Sequence, residues 1–244
     1  MGWLHYIKKE IMAVTIDTVY QRVLSILNKE QRGYITPQEF NLLANQAQME
    51  IFEQYFYDLN QFLRLPGNDT EYSDMLNILN EKISIFEVPG IIITGTSTMT
   101  LPANVYKLGS ILYKGVAAER ITQKDILLLK QTPLTAPTAD RPIYVKEGSK
   151  IEVYIDNTFT KTEDQANVKV NYIKKPAEVE WTYTDVGGTA LYNATNVTNF
   201  ELHESEETKL VVNILALAGV VIKDPSVYQI ATNEEIKTIQ QEKQ

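Results

Sequence analysis

The stretch Asn28-Lys-Glu-Gln-Arg-Gly-Tyr-Ile-Thr-Pro-Gln-Glu-Phe40 admits two folds. Read as a calcium loop, it places Gly33, Ile35 and Glu39 at the sixth, eighth and twelfth positions of an EF-hand. Read as a turn, it holds a capping box in Thr36-Pro37-Gln38-Glu39: a Thr cap, a Pro at the first helical position and a Glu at the third. Ligand chemistry decides between them. The calcium loop needs oxygen ligands at positions one, three and five and a bidentate Glu at twelve. Position five is Arg32, a permanent cation where the metal needs an anion, and Pro37 falls inside the loop. No second loop of this kind follows, although EF-hands usually pair. The capping box explains Thr36, Pro37 and Glu39 without metal, and Gly33 stops the preceding helix. The expectation is helix, turn, long helix, with no calcium.

Working outward, Thr15-Ile16-Asp17 starts a helix whose apolar stripe is Val19, Val23, Leu24, Ile26 and Leu27. After the capping box, Phe40, Leu43, Ala44, Ala47, Ile51, Tyr55, Leu59 and Phe62 recur at helical spacing, predicting a helix to about Arg64. Met49, Phe52, Phe56 and Leu63 lie on another face of it. Leu65-Pro66-Gly67 ends it, and Tyr72 to Phe86 predicts a third helix with Met75, Leu76, Leu79 and Ile83 inward.

Past Pro89-Gly90 the period changes. Ile91 to Thr94, Thr96 to Leu101 and Val105 to Tyr113 read as strands, and Thr122 to Asp125 opens a short helix over Ile126–Lys130. Thr132 to Pro142 holds three prolines and reads as an extended loop. Glu147-Gly148-Ser149-Lys150 turns a hairpin between Ile143–Val145 and a strand in which Ile151, Val153 and Ile155 alternate with Glu152 and Tyr154. Val168, Val170 and Tyr172 alternate with Lys169 and Asn171, and Val186-Gly187-Gly188 is a turn. From Glu201 the chain returns to helix, with carboxylates at the start where the dipole favours them. Leu210 to Ile222 is apolar enough for the core, and Asp224-Pro225 interrupts it. The order helices, strands, helices argues for an α+β fold. It comprises an N-terminal helical bundle (1–89), a central antiparallel β-rich region (90–200), and C-terminal helices and tail (201–244) packing back on the bundle.

The 244 residues are 44% apolar and 22% charged, as in an ordinary globular protein, and long enough to bury a sizeable core. No cysteine is present, which excludes disulfides and thiolate chemistry. A net charge of -8 argues against broad phosphate binding. No stretch is long and apolar enough to span a bilayer, and Met1–Ile11 carries no export signal, so no membrane is expected. The three glycosylation patterns at Asn68, Asn193 and Asn196 therefore read as chance.

Catalytic chemistry finds little to work with. The only histidines are His5 and His203, with no G-x-S-x-G elbow and no phosphate cradle. Glu163-Asp164 and Glu206-Glu207 are paired carboxylates capable of acid–base work, though exposed polar positions account for them as well. Tyrosine is abundant at 14, a residue suited to interfaces as well as to half-buried core. No catalytic residue, metal ligand or cofactor is expected.

Three stretches taken in order carry a resemblance. The first is Gly33 to Gln48. The second runs from Pro133-Leu-Thr-Ala-Pro-Thr-Ala-Asp-Arg-Pro142 through a hairpin to Asn171-Tyr-Ile-Lys-Lys-Pro176 and Trp181. The third joins Phe200-Glu-Leu-His-Glu-Ser-Glu-Glu207, Ile214-Leu-Ala-Leu-Ala-Gly219 and Asp224-Pro225. Together they resemble virion structural proteins of tailed bacteriophages, especially short-tailed and crAss-like phages. Within these the chain looks like a head-to-tail connector, the neck ring or tail adaptor. The likeness covers about Val14 to Ile230.

The resemblance implies a non-enzymatic ring, commonly twelve-fold, below the portal protein. Such a ring extends the channel through which DNA leaves the head and gives the tail its docking surface. Its partners are further copies of the chain, the portal, other neck or tail rings, and DNA that passes without sequence-specific binding. Its place is the virion, and the host cytoplasm during assembly. A terminal segment of such adaptors often orders against the portal. Here that segment is Val227–Gln244, with Tyr228, Ile230, Ile236 and Ile239 as its interface anchors. Another tail or baseplate protein would share these features. From other classes, a metal-regulated module built on Asn28–Glu39 and a hydrolase using a carboxylate pair stay open.

Overall fold

The computed structural model describes residues 14–29, 34–64, 69–93, 98–129, 132–156, 167–222, 233 and 237. Among these the helices are α1 (Ile16–Lys29), α2 (Pro37–Arg64), α3 (Asp69–Ser84), α4 (Gln123–Leu129) and α5 (Glu207–Ile222). The strands are β1 (Glu87–Ile92), β2 (Met99–Thr100), β3 (Val105–Tyr113), β4 (Val116–Ala117), β5 (Glu119–Arg120), β6 (Ile143–Glu147), β7 (Lys150–Tyr154), β8 (Val168–Lys174), β9 (Tyr183–Val186) and β10 (Thr189–Tyr192). The fold is α+β, as the order of periodicities predicts. The chain forms two units, one from Met1–Ile85 with Pro176–Gln244, the other Phe86–Lys175.

In the first unit, α5 packs against α1 and α2. Leu210, Val211, Ile214, Leu215 and Ala218 are buried, so the apolar run does belong to a core. The helix begins later than Glu201, because a 3-10 turn over Glu204–Glu206 precedes it, entered through His203. The His203 ring accepts from Ser205 N at 3.2 Å, a capping role for one of the two histidines.

Helix α2 starts where the capping box places it. Thr36 N donates to Glu39 Oε2 at 2.9 Å, and Glu39 N donates back to Thr36 Oγ1 at 3.3 Å. Asn28, the first position of the calcium-loop reading, sits in the last turn of α1. Residues 30–33 lie outside the described part. The helix buries Phe40, Ala44, Ala47, Ile51, Phe52 and Tyr55.

The strands run from Glu87 to Tyr192, across the expected β-rich region 90–200, but they fall into both units. Residues 176–200 belong with the helices, where a polar stripe of α2 binds their backbone. The turn at Val186–Gly188 joins two strands that no sequence alternation signals. Tyr183 pairs with Tyr192 and Val186 with Thr189, and Gly187 and Gly188 both take positive φ (63° and 83°), as a type I′ turn demands.

The second unit stacks three layers. One sheet runs β1-β8-β3-β4 and the other β2-β7-β6-β5, with β5 and β6 parallel and the other pairs antiparallel. Ile111, Tyr113, Val168, Val170 and Tyr172 of the first sheet meet Tyr144, Ile151 and Val153 of the second in one core. Helix α4 covers the second sheet's far face, packing Ile126 against Ile143, Val145 and Tyr154. It starts on a second capping box, Thr122 Oγ1 donating to Asp125 Oδ2 at 2.6 Å. This layer buries Glu152 and Tyr154, which alternation alone would leave facing solvent. Tyr154 Oη donates to Glu152 Oε2 at 2.9 Å, and Thr98 Oγ1 donates to Glu152 Oε1 at 3.2 Å. Burial first, and the Glu152 hydrogen bond second, push the Tyr154 hydroxyl above its ordinary range. The two ends of the unit adjoin, Lys174 N donating to Phe86 O at 2.8 Å.

Candidate functional site

Helix α2 carries Asn41, Asn45 and Gln48 at spacings of four and three, which aligns them on one face. Each meets an alternate residue of an extended segment running the other way. Asn41 Oδ1 accepts from Trp181 N at 2.9 Å, while Asn41 Nδ2 donates to Trp181 O at 3.2 Å. Asn45 repeats this at Val179, and Gln48 Nε2 donates to Ala177 O at 2.8 Å. Three to four helical residues rise about 4.5–6 Å and two extended residues about 6.6 Å, so the two repeats nearly match. Carboxamides thus take the place of a neighbouring strand and satisfy backbone that would otherwise be buried unpaired.

That grip seats Trp181, which is 2% exposed. Its Nε1 donates to Asp17 Oδ1 at 2.9 Å. Its ring packs against Tyr20, Tyr183 and Tyr192 at centroid distances of 4.3, 5.9 and 5.8 Å. Beside it opens a cleft of about 510 Å³ lined by Tyr20, Leu24, Tyr34, Trp181, Leu191 and Tyr192 among others. Burial raises the Tyr20 hydroxyl well above the ordinary tyrosine range, and the neighbouring Tyr34 adds to the shift. Tyr34, Leu191 and Tyr192 remain 61%, 51% and 43% exposed, an aromatic and aliphatic rim suited to contact with another protein.

A second surface lies on the other unit. Lys169, Asn171 and Ile173 alternate with buried Val168, Val170 and Tyr172, so they form the face of β8 turned from the core. Ile92 and Leu112 flank Lys169, and Glu87 and Lys107 flank Ile173. Between these rows both neighbouring strands bulge, and Asn171 binds both: Gly90 N donates to its Oδ1 at 2.7 Å and its Nδ2 donates to Ser110 Oγ at 2.8 Å. No helix of its own unit covers this face among the described residues, unlike the far face of the second sheet.

Glu206 and Glu207, read from sequence as exposed polar positions, are instead drawn into ion pairs, and Glu206 is buried at 4% exposure. Glu206 Oε1 meets Lys82 Nζ at 2.6 Å and Glu207 meets Arg22 at 3.0 Å. Glu163 and Asp164 lie outside the described residues, as do the four anchors Tyr228, Ile230, Ile236 and Ile239. Among the described residues no group of His, Asp and Glu is placed to hold a metal, and no helix is long and apolar enough to cross a membrane. The Asn41–Asn45–Gln48 stripe is the feature that sequence reading passed over; its signal is a line of amides beside Ala44 and Ala47 on a helix that must bury that side. The chain matches no protein-family model, and no curated protein matches it.

Proposed function

We propose that this protein is a virion structural component of a tailed bacteriophage, a ring of the head-to-tail connector below the portal. There it extends the DNA channel and offers the tail a docking surface. The observation that carries the reading is large apolar side chain left at the surface of both units. In the helical unit these include Leu42, Tyr57, Val186 and Leu191; in the β unit, Ile92, Leu127, Leu128 and Leu134. Leu42 is 73% and Leu134 89% exposed, which suits a subunit that meets several neighbours. The resemblance of the three stretches supports the same reading. In this assembly Tyr228, Ile230, Ile236 and Ile239 contact the portal or an adjoining ring.

The test is particle shape and place. Negative-stain images of the purified protein are expected to show closed rings, and antibody labelling of virions is expected to mark the neck. Label on the tail tip or baseplate assigns the protein to that structure instead. A stoichiometric calcium-binding heat lost in Glu39→Gln would favour the metal-regulated module.

A further inference from the structure

The two units differ in charge. Residues 86–175 hold 12 Lys and Arg against 9 Asp and Glu, a net of +3, while the remaining residues hold 11 against 22, a net of -11. The same polarity recurs on two exposed faces. The outward stripe of α2 is Leu42, Gln46, Glu50, Glu53 and Tyr57, and before Arg64 the helix has no Lys or Arg. The uncovered face of β1-β8-β3-β4 presents Ile92, Leu112 and Ile173 with Lys107 and Lys169, and Glu87 as the carboxylate at one corner.

We propose that this sheet face of one copy receives the α2 stripe of the next copy. Leu42 and Tyr57 would cover the aliphatic side chains, and Glu50 and Glu53 would meet the two lysines. Three physical points converge. This sheet already covers one face with the second sheet, yet its opposite face still carries Ile92, Leu112 and Ile173 where a purely solvated face would alternate to polar residues. Ile92 at 52% and Tyr57 at 64% exposed are complementary in character. Opposite charge then selects this pairing over helix on helix or sheet on sheet, both of which bring like charges together. The contact is heterologous, one patch meeting a different patch, and such contacts repeat head to tail until a ring closes. The proposal rests on the ring reading above and names the surface that builds it.

Two charge reversals test it: Glu50→Lys with Glu53→Lys on α2, and Lys107→Glu with Lys169→Glu on the sheet. Mass photometry of the purified full chain gives the readout, with thermal melts as the folding control. The wild type is expected as a closed oligomer and each reversed protein as the 27.8 kDa subunit. Mixing the two reversed proteins is expected to restore an oligomer with alternating copies, because every α2 then faces a sheet of opposite charge. If a reversal lowers the melting temperature, Leu42→Asp and Ile92→Asp carry the same test at exposed positions. A wild-type oligomer whose mass survives both reversals, or one that mixing fails to restore, overturns this contact and leaves the ring intact. A wild type that stays monomeric overturns both. Unchanged mass together with lost binding to a DNA duplex in the lysine-reversed protein overturns the contact and assigns the face to DNA.

Discussion

Asn45 and Val179 hold each other by two hydrogen bonds, Val179 N donating to Asn45 Oδ1 at 2.8 Å and Asn45 Nδ2 donating to Val179 O at 3.0 Å. The residues are 134 positions apart, and Val179 is 2% exposed. Removing the carboxamide leaves a donor and an acceptor with no partner. Asn45→Ala is therefore expected to lower stability by about 2–6 kcal/mol, at about 1–3 kcal/mol for each of the two buried groups left unsatisfied. Gln46→Ala, one residue along on the exposed side, should change little. Urea unfolding of both variants checks the difference; equal midpoints would remove the carboxamides from the account of how this segment is held.

The capping box at Thr36 sets where α2 begins. Thr36→Ala should cost about 1 kcal/mol. The backbone N–H of Thr36, followed by its hydroxyl, holds the Glu39 carboxyl below its ordinary value, and the Thr122 hydroxyl and N–H do the same for Asp125. A lowered folded value means that the contribution is present in full above the ordinary carboxylate range and lost as pH falls through the folded value. Acid unfolding should thus come at a higher pH relative to its own neutral stability in wild type than in Glu39→Gln. A denaturation midpoint unchanged in Thr36→Ala would place the start of the helix elsewhere.

Much of this was legible. The capping box at Thr36, the helix start at Thr122, the hairpin at Gly148 and the α5 core follow from local rules about caps, turns and periods. What was not legible depends on pairs far apart in the chain. Strands β9 and β10 are four residues each, with most side chains exposed, so no alternation marks them. Glu152 and Tyr154 look like an outward face until α4 closes over them. The amides of Asn41, Asn45 and Gln48 have no meaning until residues 177–181 arrive beside them.

The Lys82–Glu206 pair is mostly shielded from water, its side chains 19% and 5% exposed. Removing one partner strands the other charge, so Lys82→Met should destabilise by about 3–5 kcal/mol, whereas Lys82→Met with Glu206→Leu should recover most of the loss. A double-mutant cycle in guanidinium measures this. Additive losses would show that the pair does not act as one.

At Gly109 a Cβ would sit 2.8 Å from Asn171 O, a backbone atom that cannot swing aside. Gly109→Ala should therefore cost about 1–3 kcal/mol, in the range of overpacking elsewhere. Gly90→Ala meets no atom within 4 Å but carries a positive φ of 66°, so its loss has a different origin. Hydrogen exchange should show Gly109→Ala loosening β3 and β8 together. Protection lost in β1 alone would contradict the close approach.

The adjoining ends of the second unit bear on how the chain is made. Residues 86–175 start and finish side by side, so on the ribosome this unit has everything it needs once Lys175 has emerged. The helical unit has not. Its α2 amides wait for partners more than a hundred residues downstream, and α5 comes later still. The β unit is thus an insertion in sequence whose residues are all available before the helical unit's are, since the helical unit needs segments on both sides of it. A nascent chain stalled between the two stages leaves bare the faces of α1 and α2 that α5 later covers.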